Sequence, residues 1–200
     1  MRLMTAGLLL LALGCTPNGL APVTNDLCGA NVETSHPCQV CEDALVLTNP
    51  QAVVDLMVAI EPETRPFLVE RIGYFLEGAN GCDPGRAHAV RVFVTDGPPP
   101  SQALEGLHEV ISVEPSDNEL RRPLELELQT PARVGPGQRL FVNLLLSDGS
   151  GAEALCPRVC PTGDPNLDFV ADVGGFGQWS DLTQNVPLNT RIYVGGSVEL

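Results

Sequence analysis

Four soft side chains crowd into fourteen residues near the start of the chain: Cys28, His36, Cys38 and Cys41, in the order C-x7-H-x-C-x2-C. Thiolate and imidazole at such spacing are the ligands of tetrahedral zinc. The same cysteines serve equally as halves of disulfides, and no second C-x-x-C follows at finger spacing. A redox role for Cys38-Gln-Val-Cys41 needs a surrounding βαβ pattern, and haem attachment needs a histidine where Glu42 stands. A second group offers oxygen: Asp164, Asn166, Asp168 and Asp172 flank the turn that begins at Gly163. Hard ligands of this kind suit calcium, although their spacing is not that of an EF-hand loop, and the alternative is a solvated acidic loop. The single tryptophan, Trp179 in GGFGQWSD, offers a ligand-binding platform for a sugar ring or closes a glycine turn from the core side.

A catalytic set does not emerge. Ser150 lies in Asp148-Gly-Ser-Gly, which is not G-x-S-x-G and is not followed by a strand-turn-helix. His36, His88 and His108 stand near no recognisable nucleophile. Glu125 and Glu127 share one face, but a period-2 polar face is what a solvated strand presents. The chain is therefore expected not to be an enzyme. Two carboxylates distant in sequence can still meet in a fold, so a secreted hydrolase or its accessory domain stays as an alternative.

The elements that position these residues begin outside the domain. Met1-Arg2 precedes an apolar run of about 11 residues that ends in Gly14 and is followed by Cys15. That is the plan of a secretory signal, and it is too short for the ~20 residues of a membrane span. With a cysteine directly after the small residue, Leu8 to Cys15 (LLLLALGC) resembles the lipobox of bacterial lipoproteins, with Ala12 where that pattern favours a branched apolar residue. The resemblance implies cleavage after residue 14 and lipidation of Cys15 by a diacylglyceryl group and an amide-linked acyl chain. Thr16 follows the cysteine where an aspartate would mark inner-membrane retention, so the resemblance implies the outer membrane. The partner so implied is a lipid bilayer.

Removing residues 1–14 leaves 186 residues, enough for one domain with a real core. The full chain carries −14, and the lost segment holds only Arg2, so the remaining side chains sum to −15. This argues against nucleic acid and anionic membrane surfaces as partners, and leaves envelope glycans or proteins. Acylation of Cys15 leaves six cysteines: Cys28, Cys38, Cys41, Cys82, Cys156 and Cys160. In an exported chain an even number reads as three disulfides rather than zinc, with fifteen pairings open. Locality suggests that Cys156 pairs with Cys160, and that the other four link the N-terminal segment within itself and to Cys82.

Four segments follow from composition: signal 1–14, flexible tether 15–27, cysteine-rich lead-in 28–48 and domain 49–200. QAVVDLMVAI after Pro50 reads as a first strand from its β-branched residues, with a short helix as the alternative. Phe67 and Val69 alternate, and then Ile72, Tyr74 and Leu76 alternate in the opposite phase. A slip around Glu70-Arg71 predicts a β-bulge. His88 to Thr95, Val110 to Val113, Leu124 to Gln129, Arg139 to Leu146, Leu167 to Ala171, Arg191 to Val194 and Ser197 to Leu200 read as further strands. Arg139 to Leu146 is apolar on both faces and should be central. Cys156 to Asn166 reads as a stapled loop. The fold class is all-β: an antiparallel two-sheet sandwich, jelly-roll-like, of about eight or nine short strands, stapled by disulfides.

RPFLVERIGYFL, AHAVRVFVTDG, PLELELQTPARVGPGQRLFVNLLLSD, GQWSDL and NTRIYVGGSVE, taken in this order, resemble a group of secreted bacterial β-sandwich modules. These occur as lipoproteins and as accessory domains beside secreted enzymes. The resemblance covers about residues 50–200 and implies the fold without a transferable catalytic set. The expected function is that of a membrane-tethered, extracytoplasmic binding or envelope-structural module with no cofactor, calcium apart. A carbohydrate-binding module is the first alternative.

Overall fold

The computed structural model describes residues 20–22, 43–47, 49, 51–60, 66–78, 81–114, 124–160, 165–171, 176, 178–184 and 186–199. These form β1 (Leu20–Pro22), β2 (Asp43–Ala44), β3 (Val53–Ile60), β4 (Phe67–Tyr74), β5 (His88–Thr95), β6 (Leu107–Val113) and β7 (Leu124–Val134). They continue with β8 (Arg139–Asp148), β9 (Arg158–Cys160), β10 (Asp168–Ala171), β11 (Ser180–Asp181), β12 (Asn189–Thr190) and β13 (Ile192–Glu199). One 3-10 turn at Leu182–Gln184 is the only helical element among the described residues.

The pairing is nested. β5 pairs with β6, β4 with β7, β3 with β8 and β1 with β13, each pair enclosing the last in sequence. Successive pairs fall on alternate sheets, ordered β1-β13-β4-β7 and β3-β8-β5-β6, with β10 and β11 added outside β3. A long hairpin wrapped in this way is a jelly roll. A small third sheet, β12-β9-β2, lies beside it.

Alternation places the core between the sheets. Leu56, Val58 and Ile60 of β3, Leu140, Val142, Leu144 and Leu146 of β8, and Val90 and Val92 of β5 face inward from one sheet. Phe67, Val69, Ile72 and Tyr74 of β4 meet them from the other, with Leu124, Leu126 and Leu128 of β7 and Ile192 and Val194 of β13. Each such side chain contributes about 1.5–3 kcal/mol when fully buried. The phase slip expected in β4 is present: Val69 faces Ala132 and Arg71 faces Glu127, which leaves Glu70 unpaired. β13 skips the same residue, with Gly195 opposite Arg71 and Gly196 opposite Val69. β3 is a strand, and β8 lies inside its sheet between β3 and β5.

Three details differ from expectation. Thirteen strands form among the described residues, of which eight run four residues or more. The rest have two or three residues, too few for a period to show. Leu20–Pro22, inside the expected tether, pairs with β13, and β9 runs inside the expected Cys156–Asn166 loop. The local pairing of Cys156 with Cys160 does not occur. Cys156 bonds to Cys82 with Cα atoms 5.6 Å apart, and Cys160 is disulfide-bonded to another partner. The run through β9 is extended, so four residue steps carry Cys160 about 13 Å from Cys156, beyond the reach of one disulfide.

The two ends of the sandwich differ. At one end lie the last residue of β3 and the first of β4, β7 turns into β8 through 135–138, and β5 leads into β6 through the 96–106 loop. Leu20, the first residue of β1, pairs with Glu199 at this same end. The Cys82–Cys156 bond, the 149–157 loop and the small third sheet occupy the opposite end.

Candidate functional site

The outward face of the larger sheet is not a simple solvated surface. Alternation that sends Leu56 and Val58 inward sends Asp55, Met57 and Ala59 outward, and β8 and β5 likewise present Phe141, Asn143, Arg91 and Phe93. Met57, Ala59, Phe93, Phe141 and Phe169 form a second buried apolar cluster, against which Leu107, Phe176 and Trp179 pack.

A polar line crosses this face. Arg91 stands directly opposite Asn143, and its Nη1 donates to Asn143 Oδ1 at 2.9 Å. Asn143 Nδ2 donates to the Leu56 carbonyl at 3.0 Å and to Asp55 Oδ1 at 3.3 Å. Arg91 lies 3.9 Å from the Asp55 carboxylate, with its guanidinium 5.9 Å from the Phe176 ring centroid. Burial pushes the Asp55 carboxyl above the usual range, opposed by the Asn143 bond and the Arg91 charge. Asp55 and Asn143 are buried, whereas the Arg91 side chain keeps 35% of its exposure. The line therefore offers solvent one cationic, planar hydrogen-bond donor over an aromatic ring. That suits binding a polar ligand, and it places no nucleophile beside a base.

Trp179 is half-buried on this face. Its indole N–H donates to the Pro100 carbonyl at 2.8 Å, and its ring meets Phe176 edge-on at 5.6 Å. The side chain thus ties the 96–106 loop to the sheet while keeping part of its exposure.

Of the expected oxygen ligands, Asp168 lies fully buried on the interior side of β10. Its Oδ2 accepts from Asn189 Nδ2 at 2.7 Å and its Oδ1 from the Thr190 amide at 2.9 Å. Asn166 is exposed, at positive φ, and its amide donates to Asp181 Oδ2 at 2.8 Å. Asp164 and Asp172 lie outside the described residues, as do Cys15, Cys28, His36, Cys38 and Cys41. Among the described residues no three His, Cys, Asp or Glu side chains converge as metal ligands.

Burial raises the Asp168 carboxyl to about 6, against the lowering bonds from Asn189 and Thr190. A raised carboxyl holds its proton more tightly folded than unfolded, so its stabilisation is full below about pH 4 and is lost as pH rises through about 6. Over that window Asp168 should cost the fold on the order of 2–3 kcal/mol. Urea unfolding across this range should show the slope in the wild type and its loss in Asp168→Asn. The comparison separates it from His88, whose pKa burial lowers and which acts with the opposite sign.

His88, His108 and Ser150, among the described residues, each take part in hydrogen bonds to neighbouring chain. The carbonyl of Arg86 can only accept, so His88 Nδ1 carries the hydrogen at 2.8 Å, and Nε2 accepts from Tyr74 Oη at 2.5 Å. This bond bridges the two sheets. His108 Nε2 donates to the Thr130 carbonyl at 2.7 Å, and the amide of Ser150 donates to Asp148 in an exposed turn. Sequence reasoning did not find the Asp55–Asn143–Arg91 line. Its signal was legible as one polar residue inside each of the apolar runs VVDLMVAI, FVNLLL and AVRVFV.

No protein-family model matches the chain, and a comparison with curated proteins finds no significant match.

Proposed function

We propose that the protein is a lipoprotein of the cell envelope: a jelly-roll module held at the outer membrane through Cys15, which binds or scaffolds rather than catalyses. The supporting observation is the Cys82–Cys156 disulfide, which closes 74 residues of chain, with Cys160 also oxidised. Disulfides of this kind persist in oxidising compartments, where the Leu8–Cys15 run would deliver the chain. Acyl chains, rather than charge, hold an acidic domain of −15 at a membrane in this reading. A polar ligand such as an envelope glycan is the second reading, supported by Arg91 standing part-exposed beside Phe176.

Cys15→Ser removes the acyl acceptor without touching any of the described strands. Expressed in a double-membrane bacterium, the wild type should sediment with membranes and Cys15→Ser should move to the soluble extracytoplasmic fraction. Equal sedimentation of both would contradict the tether.

A further inference from the structure

We propose that the sandwich stands on the bilayer by its 96–106 end, and that Leu104 enters the headgroup–acyl boundary as a second membrane contact. The inference rests on the lipid-anchor reading above. It starts from where β1 sits: only five residue steps separate Cys15 from Leu20. Fully extended, they span at most about 18 Å. Leu20 is paired with Glu199 at one end of the sandwich, and an eight-residue strand runs about 27 Å to the other. An inverted domain would hold Leu20 farther from the bilayer than its tether reaches. The end carrying the Cys82–Cys156 bond therefore cannot be the one that stands on the bilayer.

The loop at the tethered end fits that contact. Leu104 is 79% exposed, the highest of the exposed large hydrophobic side chains among the described residues. It is held at the tip by local turns, with the Glu105 amide donating to the Gln102 carbonyl and the Leu107 amide to the Leu104 carbonyl. The two carboxylates of the loop are engaged in shaping it. Glu105 Oε2 accepts from the Ser101 amide and hydroxyl, each at 2.6 Å, and Asp96 Oδ1 accepts from Gln138 Nε2 at 2.9 Å. What the tip presents between them is neutral: Ser101, Gln102, Ala103 and Leu104. Glu105 stays exposed and charged beside Leu104, so this stretch, uncharged but for that carboxylate, suits a neutral lipid surface rather than an anionic one. Gly106, at φ 66°, keeps the loop in this shape, since a Cβ there would lie 2.4 Å from the Val94 carbonyl oxygen.

The test uses acylated, membrane-extracted protein in vesicles of neutral phospholipid, with bromine on the upper acyl carbons of a fraction of the lipid. Leu104→Trp adds a reporter at the loop tip, and Ser150→Trp adds one at the opposite end; Trp179 is retained in both. For a residue at the headgroup–acyl boundary, the emission added by Leu104→Trp should fall roughly twofold on bromination, and that of Ser150→Trp should not change. Equal responses from the two variants, in protein that carries acyl mass and floats with the vesicles, would overturn the orientation and leave the anchor reading standing. Protein that does not float would overturn both.

Discussion

Gly196→Ala is expected to destabilise the sandwich by about 3 kcal/mol or more, or to prevent folding. The reason is local and steric. β13 pairs with β4 across the bulge where Glu70 is left over, and at Gly196 the two backbones lie close together. A Cβ on Gly196 would lie 1.9 Å from the Leu68 carbonyl oxygen and 2.9 Å from its carbon. Both are backbone atoms held by the β4 pairing, so neither can move aside as a side-chain tip could. Relief requires the strands to part at the centre of the four-stranded sheet. Gly73→Ala is the matched control on the neighbouring strand. Its Cβ would meet the Leu124 carbonyl oxygen at 3.5 Å and Tyr193 Cβ at 3.7 Å, ordinary contacts. That variant should stay within about 1 kcal/mol of wild type, because alanine is better than glycine in a strand interior. Chemical denaturation of the two variants side by side measures the difference. Equal stabilities would mean that β13 does not approach β4 as closely as described.

The second large effect concerns the disulfide at the far end. Cys82 and Cys156 are 74 residues apart, and closing a loop of that length restricts the unfolded chain by about 4 kcal/mol at 25 °C. Cys82→Ala with Cys156→Ala should lose up to that amount, roughly 8–16 °C in Tm for a domain of this size. The native side of the ledger changes less. Both sulfurs are buried against Ala154, Ala44 and Leu47, and the backbone around them stays tied by the Asp83 amide to the Ala154 carbonyl and the Ala154 amide to the Gly81 carbonyl. The double variant should therefore fold to the same far-ultraviolet spectrum with a lower midpoint. An unchanged midpoint would mean that the bond adds no constraint to the unfolded chain.

These two positions also mark where the sequence could be read. The bulge was legible because it leaves a trace in the order of residues: Val69 and Ile72 both face inward, so the alternation must slip between them. β8 was legible as central because Leu140, Phe141, Val142, Leu144, Leu145 and Leu146 cover both of its faces. Several strand boundaries were legible from turns strong enough to see, such as Val134-Gly-Pro-Gly, whereas the nested pairing of the strands is a finding of the structure. The disulfide partner of Cys156 was not legible, because it depends on the 75–87 and 149–157 loops meeting, and no local pattern encodes that. β1 escaped notice for a related reason. Leu20, Ala21 and Pro22 are too few to show a period, and they become a strand only because β13 offers an edge. The outward polar line was half-visible. Asp55, Arg91 and Asn143 each interrupt an apolar run, but only the register that sets Arg91 opposite Asn143 brings them together. Trp179 shows the limit most plainly: its residue type allowed a platform or a packed side chain, and its bond to the Pro100 carbonyl depends on a loop far away in sequence.

The central claim, a lipid-anchored and disulfide-stapled jelly roll, is tested most directly by the intact mass of protein extracted from native membranes, with and without reduction and alkylation. The account predicts a chain that begins at Cys15, carries acyl mass, and takes up alkyl groups on six cysteines only after reduction. A chain that begins at Met1 without acyl mass, or thiols that alkylate without reduction, would contradict it.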